Sequence, residues 1–345
     1  MPSTKHITDP SDIVFLLGAG ASVDAGLPDV SGLSRELWAS LPHMRDVNGQ
    51  PCPGIQDVFN KVAGVDPEVK VNYERFFEWT RLLLDASKKP FRELIRVDIA
   101  EGLTDLLASF AWGVKDEIVR LMTSRPTKPE YLARIGDFIP ARRRLQVFTL
   151  NFDSCLEDAC QRAGIDLTTG FDPTTKKWNP KVLASTARGI NLYKLHGSLR
   201  WYRIRNESLP VNNFQHRLRL VELKPGDRDR LPPHLSVSQE PDLVLGPGTK
   251  LQADDPFITL TYEFHRILHR ARVCVIVGYA YRDPHVQTIL EEALDRGLRI
   301  LEVNPRTTME PYDNLTRYRH LRLRTKEALD SGRLADELRN LSKGI

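Results

Sequence analysis

Five strand-length apolar runs recur along this chain of 345 residues, and each gives way to small, polar or turn-forming residues. They are IVFLL at 13–17, QVFTL at 146–150, NLYKL at 191–195, VCVIV at 273–277 and RILEV at 299–303. Helical periodicity lies between most of them. That alternation predicts an α/β fold with a Rossmann-like, mostly parallel sheet and helices on both faces. The longest apolar run, VCVIVGYAY at 273–281, is strand-sized and too short to span a membrane as a helix. In parallel sheets ligands gather at the carboxyl ends of the strands. Those ends here read GAGAS, NFDS, HGS, GYAYRD and NP, and they hold many of the chain's most reactive-looking polar side chains.

The spacing between runs sets the expected organisation. Residues 33–140 separate the first two strands and carry helical periodicity, as in YERFFEWTRLLLDAS at 73–87. One crossover needs only one helix, so this segment is expected to be a helical insertion within a single domain spanning 1–345. Pro126 and Pro129 close its last long helix. The segment 205–257 is polar and rich in proline and glycine, which predicts loops with short strands. Residues 325–345 read as an amphipathic C-terminal helix with a break at Gly332.

With 41% hydrophobic and 27% charged residues, the chain falls in the ordinary globular class. Cys52, Cys155, Cys160 and Cys274 form no CxxC pair, which argues against a disulfide framework and a cysteine-held zinc. The opening MPSTKHITDPSD lacks a hydrophobic signal region, so the expected location is cytoplasmic. The net charge of +4 is mild. The basic clusters ARRRL at 141–145, LRWYRIR at 199–205 and RYRHLRLR at 317–324 read as solvated faces rather than nucleic-acid contacts. Trp201 and Tyr202, set among arginines, make the second cluster the best stacking candidate of the three.

Individual residues leave several alternatives open. Gly18, Gly20 and Gly26 follow a strand and precede a helix, a geometry that suits a phosphate but also any tight turn. Asp153 stands either at an active site or as the cap of the helix SCLEDACQRAG. His265 and His269 lie four apart on one helical face, the spacing of a two-histidine metal site. They lack the intervening glutamate of zinc proteases, and no third ligand announces itself. A packing pair is the expectation, and no metal.

Taken in order, GAGASVDAGLPD (18–29), TLNFD (149–153), KLHGS (194–198), VGYAYRD (277–283) and EVN (302–304) resemble the sirtuin-like family of NAD-consuming enzymes. The resemblance covers roughly 12–32, 146–200 and 272–305. It implies NAD+ as substrate, with Gly18, Ala19, Gly20 and Ala21 lining the pyrophosphate and Ser22 adding a hydroxyl. Pro28 and Asp29 belong to the same cofactor-binding loop. Asn151 would fix a ribose hydroxyl and a water, His196 would act as general base, and Asp153 would stand beside them. Gly278, Tyr279 and Asp283 would approach the adenosine half, with Asp283 bonding the ribose or capping the next helix. Asn304 would contact the adenine ribose.

Protein-deacetylating sirtuins follow the catalytic histidine with two zinc-holding cysteine pairs, whereas only Cys274 follows His196 here. Val30 and Ser31 stand where the family usually carries Phe-Arg. The spellings look closer to a zinc-free branch found in bacterial immunity to phage. That likeness implies hydrolysis of NAD+ to ADP-ribose and nicotinamide, restrained until a partner or self-assembly releases it. It implies a homo-oligomer, a HerA-type ATPase or a short Argonaute-like protein as partner, with 33–140 and the tail as contact surfaces. An ADP-ribosyltransferase or deacylase, or a non-catalytic NAD+/ADP-ribose sensor, remain as alternatives.

Overall fold

A strand covered on both faces must be apolar at nearly every position, and the apolar runs form such strands. The computed structural model describes residues 13–45, 50–51, 54–87, 103–208, 219–224, 226–238, 240–246, 254–306 and 317–343. In chain order the strands are β1 (Ile13–Leu17), β2 (Arg144–Thr149), β3 (Leu167–Thr168), β4 (Gly189–Lys194), β5 (Trp201–Asn206) and β6 (Arg219–Glu222). They continue with β7 (Leu235–Val237), β8 (Val273–Val277), β9 (Arg299–Val303) and β10 (Tyr318–Leu321). Seven of them make one sheet in the order β10-β9-β8-β1-β2-β4-β3. Every neighbouring pair in it is parallel. Ile13 stands opposite Val273 and Leu17 opposite Val277, and all ten residues of β1 and β8 are buried. The chain builds outward from β1 through β2 and β4 on one side, and through β8 and β9 on the other. Strand order therefore reverses at β1, where open α/β sheets leave a crevice.

The described residues fall into two compact units. The first comprises those of Met1–Leu27, Thr127–Leu243 and Leu251–Ile345, and holds the sheet. Its helices α5 (Cys155–Arg162), α6 (Phe257–Leu268), α7 (Pro284–Asp295), α8 (Thr325–Asp330) and α9 (Arg333–Lys343) follow four others in the chain. Apolar spacing fits helices that lie on a sheet: α7 buries Val286, Leu290, Ala293 and Leu294. Gly332, with φ of +74°, separates α8 from α9, so the C-terminal helix is two helices.

The second unit comprises the described residues of Pro28–Pro126 and Val244–Lys250, and carries α1 (Val30–Ser40), α2 (Ile55–Val65), α3 (Tyr73–Ser87) and α4 (Leu103–Thr123). Asp29 caps α1, its carboxylate accepting from the Gly32 N–H at 2.8 Å. Aromatic rings form its core, with Phe76 fully buried between Phe59 at 5.2 Å and Phe110 at 4.9 Å.

Between β4 and α6 the short strands β5, β6 and β7 make an antiparallel sheet over Ile204, Val221 and Leu223. This corrects the reading of LRWYRIR as a solvated face, and its tryptophan is no stacking candidate either. Trp201 is fully buried against Phe171, so its ring offers no face to a base. In the neighbouring ARRRL cluster, Arg144 is buried as well and pairs with Asp166 and Asn191. No helix among the described residues is long and apolar enough to cross a membrane.

Candidate active site at the carboxyl edge of the sheet

The Gly-rich turn at the end of β1 is built by contact with the turn at the end of β8. A Cβ on Gly18 would stand 2.6 Å from the Tyr279 Cα, and one on Gly20 would stand 2.7 Å from the Gly278 Cα. Gly278 itself has φ of +62° and backs onto Gly20 and Ala21. Glycine is required at these positions so that two backbones can touch. The N–H groups follow the same logic. Gly18 donates to the Val277 carbonyl at 2.9 Å, Gly20 to the Gly278 carbonyl at 2.8 Å, and Ala21 to the Gly18 carbonyl at 2.9 Å. Three of the four N–H groups expected to line a pyrophosphate thus bond within the protein, while Ala19 opens the 3-10 helix Ala19–Ala25.

From below, the turn is tied down by residues far along the chain. The Tyr131 hydroxyl donates to the Ala21 carbonyl at 2.6 Å, and the Thr325 hydroxyl to the Gly20 carbonyl at 3.3 Å. The Lys326 N–H donates to the Asp24 carboxylate at 3.0 Å. The start of α8 is therefore part of the turn's support. Pro28 and Asp29 belong to the helical unit described above.

Asn151 stands just past β2, whose pairing with β1 ends where the Leu150 N–H reaches the Leu17 carbonyl. Its side-chain amide donates to the Gly18 carbonyl at 3.0 Å and to the buried Ser22 hydroxyl at 3.2 Å. The expected Asn151, Ser22 and Gly18 are thus brought together. Asp153 is buried, and its carboxylate accepts from the Cys155 N–H at 2.9 Å, the first N–H of α5, while Ser154 between them holds the N-cap position without a side-chain bond. The Asp153 carbonyl accepts from the Lys194 ammonium. A small cavity lies between Asn151, Ser22, Asp153 and Lys194, with apolar walls from Leu17 and Leu192.

His196 follows β4 and is 4% exposed. Gly197 lets the chain turn there, with φ of +88° and the Asp242 carbonyl where a Cβ would stand. The His196 Nε2 lies 3.8 Å from the Asp283 carboxylate, which arrives from the end of β8. Asp283 precedes α7 but makes no side-chain capping bond. Its backbone N–H donates to the Tyr279 hydroxyl at 3.2 Å instead. His285 joins them, so that three donor atoms lie within 4.8 Å of one another. Asn304 is half-buried, and its amide donates to the Tyr279 carbonyl at 3.2 Å, which holds the Gly278–Asp283 turn.

Two groups in the motifs had no role in the sequence reading. Lys194 is fully buried and bonds Glu157 of α5 at 2.8 Å. Burial pushes the Glu157 carboxyl above its ordinary range, and Lys194 offsets part of that rise. Glu302 of β9, also fully buried, accepts from the hydroxyls of Tyr281 at 3.2 Å and Tyr318 at 2.5 Å. Lys194 and Glu302 sit inside KLHGS and EVN, but their partners come from other stretches of the chain. The cysteines described are buried, and burial pushes the Cys160 thiol up to about 12. They act as packing residues.

A parallel sheet whose strand order reverses at a glycine turn, with an amide, a histidine and a carboxylate gathered at its carboxyl edge, defines a Rossmann-like α/β protein with a ligand crevice. Residues 145–326, just over half the chain, match the family model of the SIR2-like domain, and the chain belongs to that family. Among solved structures it is similar to a Sir2 homologue mutant in complex with 2'-O-acetyl ADP ribose, at 17% identity and TM-score 0.42, covering 97% of this chain and 94% of that one. A Sir2 homologue in complex with NAD gives 17% identity and TM-score 0.41, covering 97% and 93%. Sir2Tm bound to a propionylated peptide gives 14% and 0.40, covering 94% and 93%. No sequence among curated proteins matches the chain.

Proposed function

We propose that this chain is an NAD+ glycohydrolase, cleaving NAD+ with water to ADP-ribose, nicotinamide and a proton. The reading is supported above all by the meeting of His196 with Asp283 at the carboxyl edge of a SIR2-family sheet, 3.8 Å apart and both buried. In this reading the nicotinamide ribose lies between Asn151 and His196. The bond from C1' to the nicotinamide nitrogen breaks with its electron pair leaving on the pyridine nitrogen, which neutralises the pyridinium charge. Water held by the Asn151 amide forms the new bond to C1'. His196 takes the proton of a ribose hydroxyl or holds it polarised, with Asp283 favouring the imidazolium that results. The Gly18–Ser22 turn would receive the pyrophosphate through Ala19 and the Ser22 side of the turn, since the N–H groups of Gly18, Gly20 and Ala21 are engaged.

The same reading assigns the chain to the zinc-free branch that depletes NAD+ in anti-phage defence. Its activity would be released by assembly or by a partner such as a HerA-type ATPase or a short Argonaute-like protein. Product analysis tests the chemistry. Purified protein is incubated with NAD+, with and without lysate of phage-infected bacteria, and nicotinamide and ADP-ribose are quantified by chromatography. Equal amounts of both are expected, with loss of both in Asn151→Ala. Nicotinamide without free ADP-ribose would point to a transferase or deacylase, and NAD+ binding without products to a sensor.

A further inference from the structure

The helix pair α6–α7 carries a second constellation, away from the sheet edge. His265 lies in α6, His269 caps its end, and the His269 N–H bonds the His265 carbonyl at 3.1 Å, so both rings leave the same helical face. Their ring centroids are 3.9 Å apart. The ligand that the sequence did not announce comes from α7. One Glu292 carboxylate oxygen lies 3.5 Å from the His265 Nε2 and 3.7 Å from the His269 Nε2. All three donor atoms fall within 4.8 Å of one another.

We propose that His265, His269 and Glu292 form a divalent transition-metal site of the Zn2+ class that ties α6 to α7. Two features carry this. The spacing suits an ion: bonds of about 2.1 Å at a tetrahedral centre set neighbouring donors about 3.4 Å apart, close to the separations here. His269 supplies the second. Its side chain is 8% exposed, and its Nε2 is buried with no hydrogen-bond partner among the described residues, directed toward the Glu292 carboxylate but beyond hydrogen-bond length. Buried polar nitrogens are normally satisfied, and a metal would satisfy this one.

His265 and Glu292 are about half exposed, so the ion has a path from solvent and water fills the open fourth position. Two imidazoles and one carboxylate, with no sulfur, favour zinc over the larger oxygen-seeking cations. Glu292 sits nine residues beyond Asp283, about 13 Å along the axis of α7. The ion would thus brace the far end of the helix that begins beside His196, without entering that site.

The test uses untagged full-length protein freed of metal with a chelator. Zn2+ is titrated calorimetrically, and the visible absorption of Co2+ reports tetrahedral coordination. The wild type is expected to bind one Zn2+, with a melting temperature raised by about 5 °C at a hundredfold excess over Kd. His265→Ala and Glu292→Gln, both at half-exposed positions, are expected to fold as wild type and to bind at least about tenfold more weakly. No uptake by the wild type would overturn the proposal. Uptake equal in wild type and both variants, as an ion on His196, Asp283 and His285 would give, would overturn it too.

Discussion

At the scale of single residues, Lys194 is the most exacting group in the sheet. It is fully buried and, among the described residues, bonds Glu157 and the Asp153 carbonyl. Removing one member of such a pair leaves an uncompensated charge in the interior. Lys194→Met is therefore expected to cost about 3–5 kcal/mol in urea unfolding, and Lys194→Met with Glu157→Leu to recover most of it. A double variant as unstable as the single one would contradict this. In the helical unit, Asp66 accepts from the Trp79 indole N–H at 2.8 Å and from Arg75 at 2.7 Å. The Trp79 bond, then Arg75, holds its carboxyl below the ordinary value of 3.8. A carboxyl depressed in the folded state adds stability above its unfolded pKa and loses it as pH falls through the folded one. Asp66→Asn is expected to cost about 1 kcal/mol at neutral pH. The gap should close below about pH 4, and a gap equal at pH 3 and pH 7 would rule out the ionic origin. KLHGS spelled out Lys194 at the end of β4, but its partner lies 37 residues back on helix α5. No local pattern encodes that meeting.

At the scale of elements, the glycine turn after β1 and the turn after β8 are one structure. Gly164 and Gly278 both have positive φ, but a Cβ on Gly164 would meet nothing, whereas one on Gly278 would strike the Gly20 backbone. Gly164→Ala should therefore cost about 1–2 kcal/mol, the strain of the left-handed region alone. Gly278→Ala adds overpacking and should cost about 3–4 kcal/mol. Equal losses in thermal unfolding would show that the two turns do not pack in solution as they do here. This is also where sequence reading succeeded and failed for definable reasons. β1 and β8 were legible to the residue because central parallel strands are continuously apolar, and β9 because Ile300, Leu301 and Val303 still mark a strand-length apolar run around Glu302. β10 was not: it is an edge strand in which Arg319 is exposed between buried Tyr318 and Leu321, so it read as a basic cluster. β5 was hidden likewise, its buried Trp201 and Ile204 separated by half-buried Tyr202 and Arg203. The glycines were identified, but the second backbone that they accommodate was not, because it lies some 260 residues downstream.

At the scale of the whole molecule, five strands of the parallel sheet, β1, β2, β4, β8 and β9, deliver the residues of the candidate site from five separate stretches of chain to one edge. Motif order made that edge readable, since strand ends in a parallel sheet all point the same way. Which of those residues touch was not readable: Asn151 meets Ser22 and Gly18, His196 meets Asp283, and Asp153 turns to the first N–H of α5. Glu292 belongs to the same lesson, a third ligand invisible beside His265 and His269 because another helix brings it. The claim on which the functional reading stands is that His196 drives cleavage of NAD+ at this edge. The most direct measurement is nicotinamide release from NAD+ by wild type and His196→Ala, with NAD+ affinity determined calorimetrically on the same samples. An NAD+ glycohydrolase built on this site predicts release by the wild type that falls by about a hundredfold or more in the variant while NAD+ still binds. Release by His196→Ala at the wild-type rate, or a wild type that neither binds nor cleaves NAD+, would contradict it.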